Sequence, residues 1–409
     1  MGELSASRLI DACDDHSFES AISIRTALEP GAGPGAPVKP AIYEGGTYQH
    51  DIRWWGDGEG REATPVIVID NVPSQANRLE AALLSFRERL GLPDIVLDLS
   101  AVKTLPVHLP IELSAFEFPH RNADAYLRDA QIDGVPFLRT EVGRSVFAAT
   151  ADSPEALFEW MPQALLYGFW QSHLGKKRQQ TKLARSWTSE IIGIAPATIP
   201  NVEGLHAHRE NSRLTTTAGL KGDPYNQSID EAVSYDENDL TTWTVEAKAR
   251  KGNRSKDSLA EIGHGQVPVD GTAAPVSFRE IHQQATVSFA ALRRVNTREA
   301  SASAPGRALL VAIGIAAHVG AFGRAFSLRS GCELQAGDQR WIWRSETEDE
   351  ALEIPRFQNA VALVEECAEA ARSAGLAVGS DWPAPLRVLP QDNMAAAITK
   401  TWPLDRELV

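Results

Sequence analysis

Ser74, Asn77 and Arg78 lie in a stretch, residues 64–90, that passes from a buried-strand pattern into a helix pattern. At about 100° per residue, their spacing puts all three on one side of a helix. Ala76, Leu79, Leu83, Phe86 and Leu90 then form a packing stripe on the other side. Pro73 and Ser74 mark the start, and Gly91 with Pro93 the stop. Such a helix presents a hydroxyl, an amide, a guanidinium and unpaired backbone N–H groups at its positive end. That combination suits an anion, with a nucleic-acid phosphate among the candidates. A solvated helix face carrying a surface arginine is the plainer reading of the same residues.

Phosphate binding needs further cations. His120 and Arg121, the run Lys176, Lys177, Arg178, Lys182 and Arg185, and the pair Arg293 and Arg294 could line a groove. Residues 176–185 and 247–256 hold basic residues and no acids. Each phosphate contact adds a salt-sensitive contribution to affinity and reads no sequence. Trp54, Trp55 and Trp187 could stack on bases, at about 1–3 kcal/mol each; burial in a core or a subunit contact is the competing role. Gly263, His264 and Gly265 form either a binding loop or a tight bend.

Catalytic patterns are sparse. The early glycines lead to Lys39 without the GK[ST] ending of a phosphate loop, and neither GxSxG nor HExxH occurs. Glu203, His206, His208 and Glu210 come nearest to a metal cluster, since an HxH pair binds zinc or copper when both imidazoles converge. Asp223 suits a nuclease metal ligand, and Asp70 with Asn71 ends a strand, a favourable place for a catalytic carboxylate. Turn and helix-entry signals explain both aspartates equally well. The expectation is a chain with no catalytic residue, metal or cofactor.

The elements that must position these residues follow from patterning. The 409 residues are 43% hydrophobic, enough for a sizeable core. A formal charge of −14 argues against coating nucleic acid with the whole surface, while leaving room for a local basic groove. Cys13, Cys332 and Cys367 are too scattered for a disulfide framework or a zinc knuckle, which fits a reducing cytoplasm. The N-terminus shows no signal-peptide pattern, and His318 with flanking arginines marks residues 308–322 as a buried helix rather than a membrane span.

A polar N-terminal helix should precede a strand over residues 19–29, a Gly/Pro loop over 30–40 and a second loop over 51–63. A strand over 94–99, a short helix over 118–130 and a core segment over 157–170 come next. Residues 199–237 read as long loops, and 286–295 as either strand or helix. A helix over 307–322, strands near 325–334 and 341–343, and a helix over 357–373 complete an α+β chain.

Taken together, residues 69–80 (IDNVPSQANRLE), 118–125 (FPHRNADA), 189–193 (SEIIG), 261–265 (EIGHG) and 288–294 (SFAALRR) resemble one CRISPR family in matching order. It is the RAMP-superfamily backbone subunit of the type I-G (formerly type I-U) effector complex, or Cascade. The resemblance implies an RRM-like (ferredoxin-like βαββαβ) palm with large insertions forming fingers and thumb. It implies a single domain over 1–409, with a loop-rich insertion over 195–260, and 305–409 completing the core and adding a peripheral helix. Copies would assemble head to tail along a CRISPR RNA, grip its backbone and present bases to a target DNA strand, beside other effector subunits and away from membranes. Ser74, Asn77, Arg78, His120, Arg121, His264, Arg293 and Arg294 carry over as RNA-contacting or RNA-shaping residues. The basic run at 176–185 is added on charge alone. A metal-dependent ribonuclease of the same superfamily is the rival, with Asp70, Asp223 or the histidines near 206 as its candidates.

Overall fold

The computed structural model describes residues 2–43, 48–56, 58–102, 110–171, 181–197, 233–236, 239–245 and 275–401. An eight-stranded sheet organises them. Its strands are β1 (Ala21–Pro30), β2 (Gln49–Trp55), β3 (Glu62–Asp70), β4 (Trp187–Pro196), β5 (Phe278–Ser288), β6 (Phe326–Arg329), β7 (Cys332–Arg344) and β8 (Glu350–Leu352). They lie in the order β6-β7-β1-β5-β4-β3-β2, with β8 paired to β7. Every neighbouring pair is antiparallel.

Helices α1 (Ala6–Cys13), α2 (Val72–Ser85), α3 (Ala300–Phe322) and α4 (Phe357–Ser373) form a layer in which α3 packs against the other three. Reduced to its centre, the chain runs β1–α2–β4–β5–α3–β7, and those strands lie in the order β7-β1-β5-β4. This is the α+β, ferredoxin-like βαββαβ arrangement. The β2–β3 hairpin stands between β1 and α2 in the chain and widens the sheet beyond β4. Residues between α2 and β4 contribute to a five-stranded sheet in which Ile95–Asp98 pairs in parallel with Leu386–Pro390. Between β4 and β5, Val233–Asp236 pairs with Asp239–Val245. The remainder of the expected 195–260 insertion lies outside the described residues, apart from residues 195–197.

Strand alternation decides which face meets the helices. Ile22 and Ile24 of β1, Ala285 and Val287 of β5, and Trp341 and Trp343 of β7 point into the core with α3. Helix α3 is long and apolar enough to cross a membrane by length and composition, yet 83% of its most apolar window is buried inside the protein. It is buried nearly all round because α1, α2, α4 and the sheet each cover a side. Gly314 permits that closeness: a Cβ there would lie 2.5 Å from Cε3 of the fully buried Trp187.

Several expectations need correction. The loop expected over 51–63 is mostly strand, because the Ile52–Trp55 run favours a pleated ladder with β3 and only the glycine-rich turn between them is irregular. Residues 286–295 are both predicted alternatives in turn: β5 ends at Ser288, whose hydroxyl accepts from Ala291 N and opens the turn Phe289–Leu292. Helix α2 is capped by Asn71, which accepts from Ser74 N, so its end is less open to an anion than the sequence implied. The strand at 341–343 is the end of the longer β7.

Replacing Gly314 by Ala should cost about 1–3 kcal/mol of unfolding free energy through overpacking against Trp187. Urea unfolding with an unchanged m-value would measure it; an unaltered midpoint would refute the tight approach.

Candidate nucleic-acid interface

The polar residues that open α2 turn inward. Asp70, at the end of β3, has a side chain with no exposure. Its carboxylate accepts from Ser74 Oγ at 2.9 Å, Gln75 Nε2 at 2.6 Å, Arg78 Nε at 2.8 Å and Arg329 Nη2 at 2.8 Å. Arg78 Nη2 adds a bond to Asp70 at 3.2 Å and one to the Leu328 carbonyl at 3.0 Å. Gln75, fully buried, accepts in turn from Ser189 of β4 and Gln283 of β5, both at 2.8 Å. Ser74 and Arg78 thus join α2 to β3 and β6, and Gln75 joins it to β4 and β5. This corrects the expectation of a free phosphate-binding face; of the three, only Asn77 is exposed. Asp70 is saturated with donors and offers no open position to a metal.

Arg121 is corrected in the same way. It is buried, holds a left-handed backbone at φ 53°, and pairs with the buried Glu80 through Nε and Nη2, each at 2.7 Å. Its Nη1 donates to the Gly168 carbonyl at 3.0 Å. That carbonyl precedes the hairpin Phe169–Gln171 and Thr181–Leu183, where Trp170 faces Lys182. The structure therefore gathers His120, Arg121, Lys182 and Arg185 around one hairpin, with His120, Lys182 and Arg185 exposed. Lys182 Nζ sits 5.7 Å from the Trp170 ring, which is 57% exposed. The sequence reading missed Trp170, whose place within an apolar run signalled core.

Arg293 donates to the carbonyls of Ala12, Asp14 and Glu19, and the buried Arg307 to that of Cys13. Together they satisfy the C-terminal end of α1, where cations are favoured. Arg293 is thus a strut, and Arg294 beside it is exposed. Lys176, Lys177, Arg178 and His264 lie outside the described residues, as do Glu203, His206, His208, Glu210 and Asp223. Among the described residues, no group of three or more His, Cys, Asp or Glu is placed to hold a metal ion.

The face of the sheet opposite the helices carries cations that the sequence did not single out. In one cross-strand row, Arg340 of β7 stands opposite Arg25 of β1, Arg25 opposite Gln284 of β5, and Gln284 opposite Glu190 of β4. Glu190 is paired with Arg53 of β2. The next row brings Ile342, Ser23, Thr286 and Thr188 together. Arg25 lies 4.1 Å over the ring of Trp55, whose Nε1 donates to Glu280 at 3.2 Å, with His282 4.8 Å from the same ring. Among the described residues, neither Arg25 nor Arg340 has a carboxylate partner. Like charges opposite each other across a ladder are unfavourable, so an anion would relieve this pair.

Residues 22–197 match a family model described as CRISPR-associated protein GSU0053 (Cas_GSU0053). The match supports a CRISPR-associated protein with a role in CRISPR defence. It spans β1 to β4, and so takes in Arg25, the Asp70 and Glu80 hubs, and the Lys182–Arg185 hairpin. No curated protein matches the chain.

Asp70 and Glu80, both buried, titrate in opposite directions. Burial pushes Asp70 up, but bonds from Arg78, Gln75 and Ser74 outweigh it and hold the carboxyl below its usual range. Burial raises Glu80 to about 7, more than Arg121 and Arg185 can offset. Partial desolvation, then the neighbouring Arg121, lowers Arg185, with Glu80 opposing. Folded Glu80 therefore keeps a proton that the unfolded chain releases above about pH 4.3. Its contribution to stability is greatest below that pH, declines as pH rises to about 7, and is flat beyond. Unfolding of wild type and Glu80→Gln between pH 5 and 8 should show the wild type losing ground to the variant until about pH 7. A difference independent of pH would place the titration elsewhere.

Proposed function

We propose that this chain is a non-catalytic backbone subunit that grips CRISPR RNA without reading its sequence and leaves the bases free to pair with target DNA. The carrying observation is the Arg340–Arg25 pair, in cross-strand register on the face of a ferredoxin-like sheet opposite the helices and without acidic partners among the described residues. Two neighbouring guanidiniums beside Ser23, Thr286 and Thr188 suit phosphate and sugar oxygens. Trp55 fixes Arg25 by stacking, which lowers the ordering cost of each contact. The exposed Lys182, Arg185 and Trp170 provide a second basic and aromatic element of the kind that tracks single strands.

The family match over residues 22–197 supports a CRISPR setting; on this reading the bound RNA is a CRISPR RNA, held in the cytoplasm by several copies of the chain among other effector subunits. The rival ribonuclease reading loses Asp70, whose oxygens are all engaged by Ser74, Gln75, Arg78 and Arg329.

In filter binding with spacer RNAs of unrelated sequence, Arg25→Ala with Arg340→Ala should weaken affinity about equally for all of them. The salt dependence should become shallower by about one unit of log–log slope per arginine lost. Unchanged affinity, or a loss confined to one spacer, would overturn backbone gripping at this face. RNA cut in Mg²⁺ or Mn²⁺ by wild type but not by Asp223→Ala would favour the nuclease.

A further inference from the structure

The helix layer holds a second ligand-shaped feature, distinct from the open face of the sheet. Two adjoining cavities, about 440 and 430 Å³, meet at the C-terminal end of α3. Phe86, Phe322 and Arg324 line both, and Phe357 with Arg356 closes the first. Not one carboxylate lines either cavity, in a chain whose formal charge is −14. Arg324 and Arg356 are exposed and, among the described residues, have no acidic partner. The neighbouring cleft around α4 shares Arg356 with the first cavity but adds Glu3, Glu353 and Glu366, so an acidic ligand is favoured on the phenylalanine-lined side, where Arg324 lies.

One further feature points to a bound group. Helix α4 opens at this cavity: Arg356 is its N-cap and makes no side-chain capping bond, which leaves the positive end of a seventeen-residue helix without a side-chain acceptor. On the opposite wall, His318 is 3% exposed, packed between Trp187, Trp341 and Phe322, and its Nδ1 has no hydrogen-bond partner. Phe86 and Phe357 pack on each other at 4.3 Å and form an apolar floor, and Ile354 at the rim is 49% exposed.

We propose that this groove docks an acidic peptide segment of a partner protein, with an apolar side chain on the phenylalanine floor and a carboxylate between Arg324, Arg356 and the start of α4. A peptide fits better than a nucleic-acid strand. Helix-borne apolar walls reward an aliphatic or aromatic side chain, whereas a phosphodiester would leave that wall wet and bring many charges to two arginines.

The test uses the full chain and two fluorescein-labelled peptides, Glu-Phe-Asp-Leu-Asp and Lys-Phe-Lys-Leu-Lys, followed by anisotropy at low salt. The acidic peptide should bind saturably and the basic one should not. Arg324→Glu and Arg356→Glu should each weaken it at least tenfold, with unchanged melting temperature and unchanged affinity for spacer RNA. Absence of saturable binding up to millimolar peptide, equal binding of the basic peptide, or wild-type binding by both variants would each overturn the proposal. Loss of RNA affinity in the Arg324 or Arg356 variants would reassign the groove to nucleic acid. The Arg25 and Arg340 variants, which leave the groove intact, keep failure here separate from failure of the RNA reading.

Discussion

A carboxylate shut away from water must be answered by donors on every side, and Asp70 is the place where this chain meets that demand. Desolvating such an ion costs several kcal/mol, and the cost is offset only when geometry and hydrogen bonding are complete. Here they are: Ser74, Gln75 and Arg78 come from α2, and Arg329 from β6. Gln75 extends the network to Ser189 and Gln283, so one buried charge fixes a helix over four strands. The apolar core alone would accept small slips of α2 along the sheet; a fully coordinated carboxylate would not.

That arrangement divides the arginines into two sets. Arg78, Arg121, Arg293, Arg307 and Arg329 are bound to buried carboxylates or to backbone carbonyls, and they hold elements together. Arg25, Arg340, Arg324 and Arg356 have no acidic partner among the described residues. Where such an arginine stands, on a shared face or beside a cavity, is a better guide to ligands than the number of basic residues nearby.

The same division explains how far the sequence could be read. Period alone located β1, the buried helix at 308–322 and α4, because each buries a regular stripe of its own residues. Ser74, Gln75 and Arg78 lie within two helical turns of Asp70, so their convergence was in principle legible. Arg329 was not, since only the tertiary fold brings β6 to the end of β3. Arg121 reads in sequence like any surface arginine, and its buried partner Glu80 lies on a different element. The Arg25–Arg340 register is equally hidden: β1 and β7 are neighbours only because the ferredoxin-like order places the last strand beside the first. Patterning reports which face a residue takes, while pairing and charge compensation depend on contacts that sequence spacing does not encode.

One strand connects the two surfaces that remain. In β7, Gln339 lines the phenylalanine-walled groove, and Arg340, next in sequence, stands on the open face. Successive residues of a strand point to opposite sides, so the sheet itself separates a basic, hydroxyl-rich face from an apolar, carboxylate-free groove. A phosphate backbone on one side and an acidic peptide on the other would not compete for space or for the same cations. On the proposed reading, nucleic acid would lie on the sheet face opposite the helices while protein contacts would use the helical side.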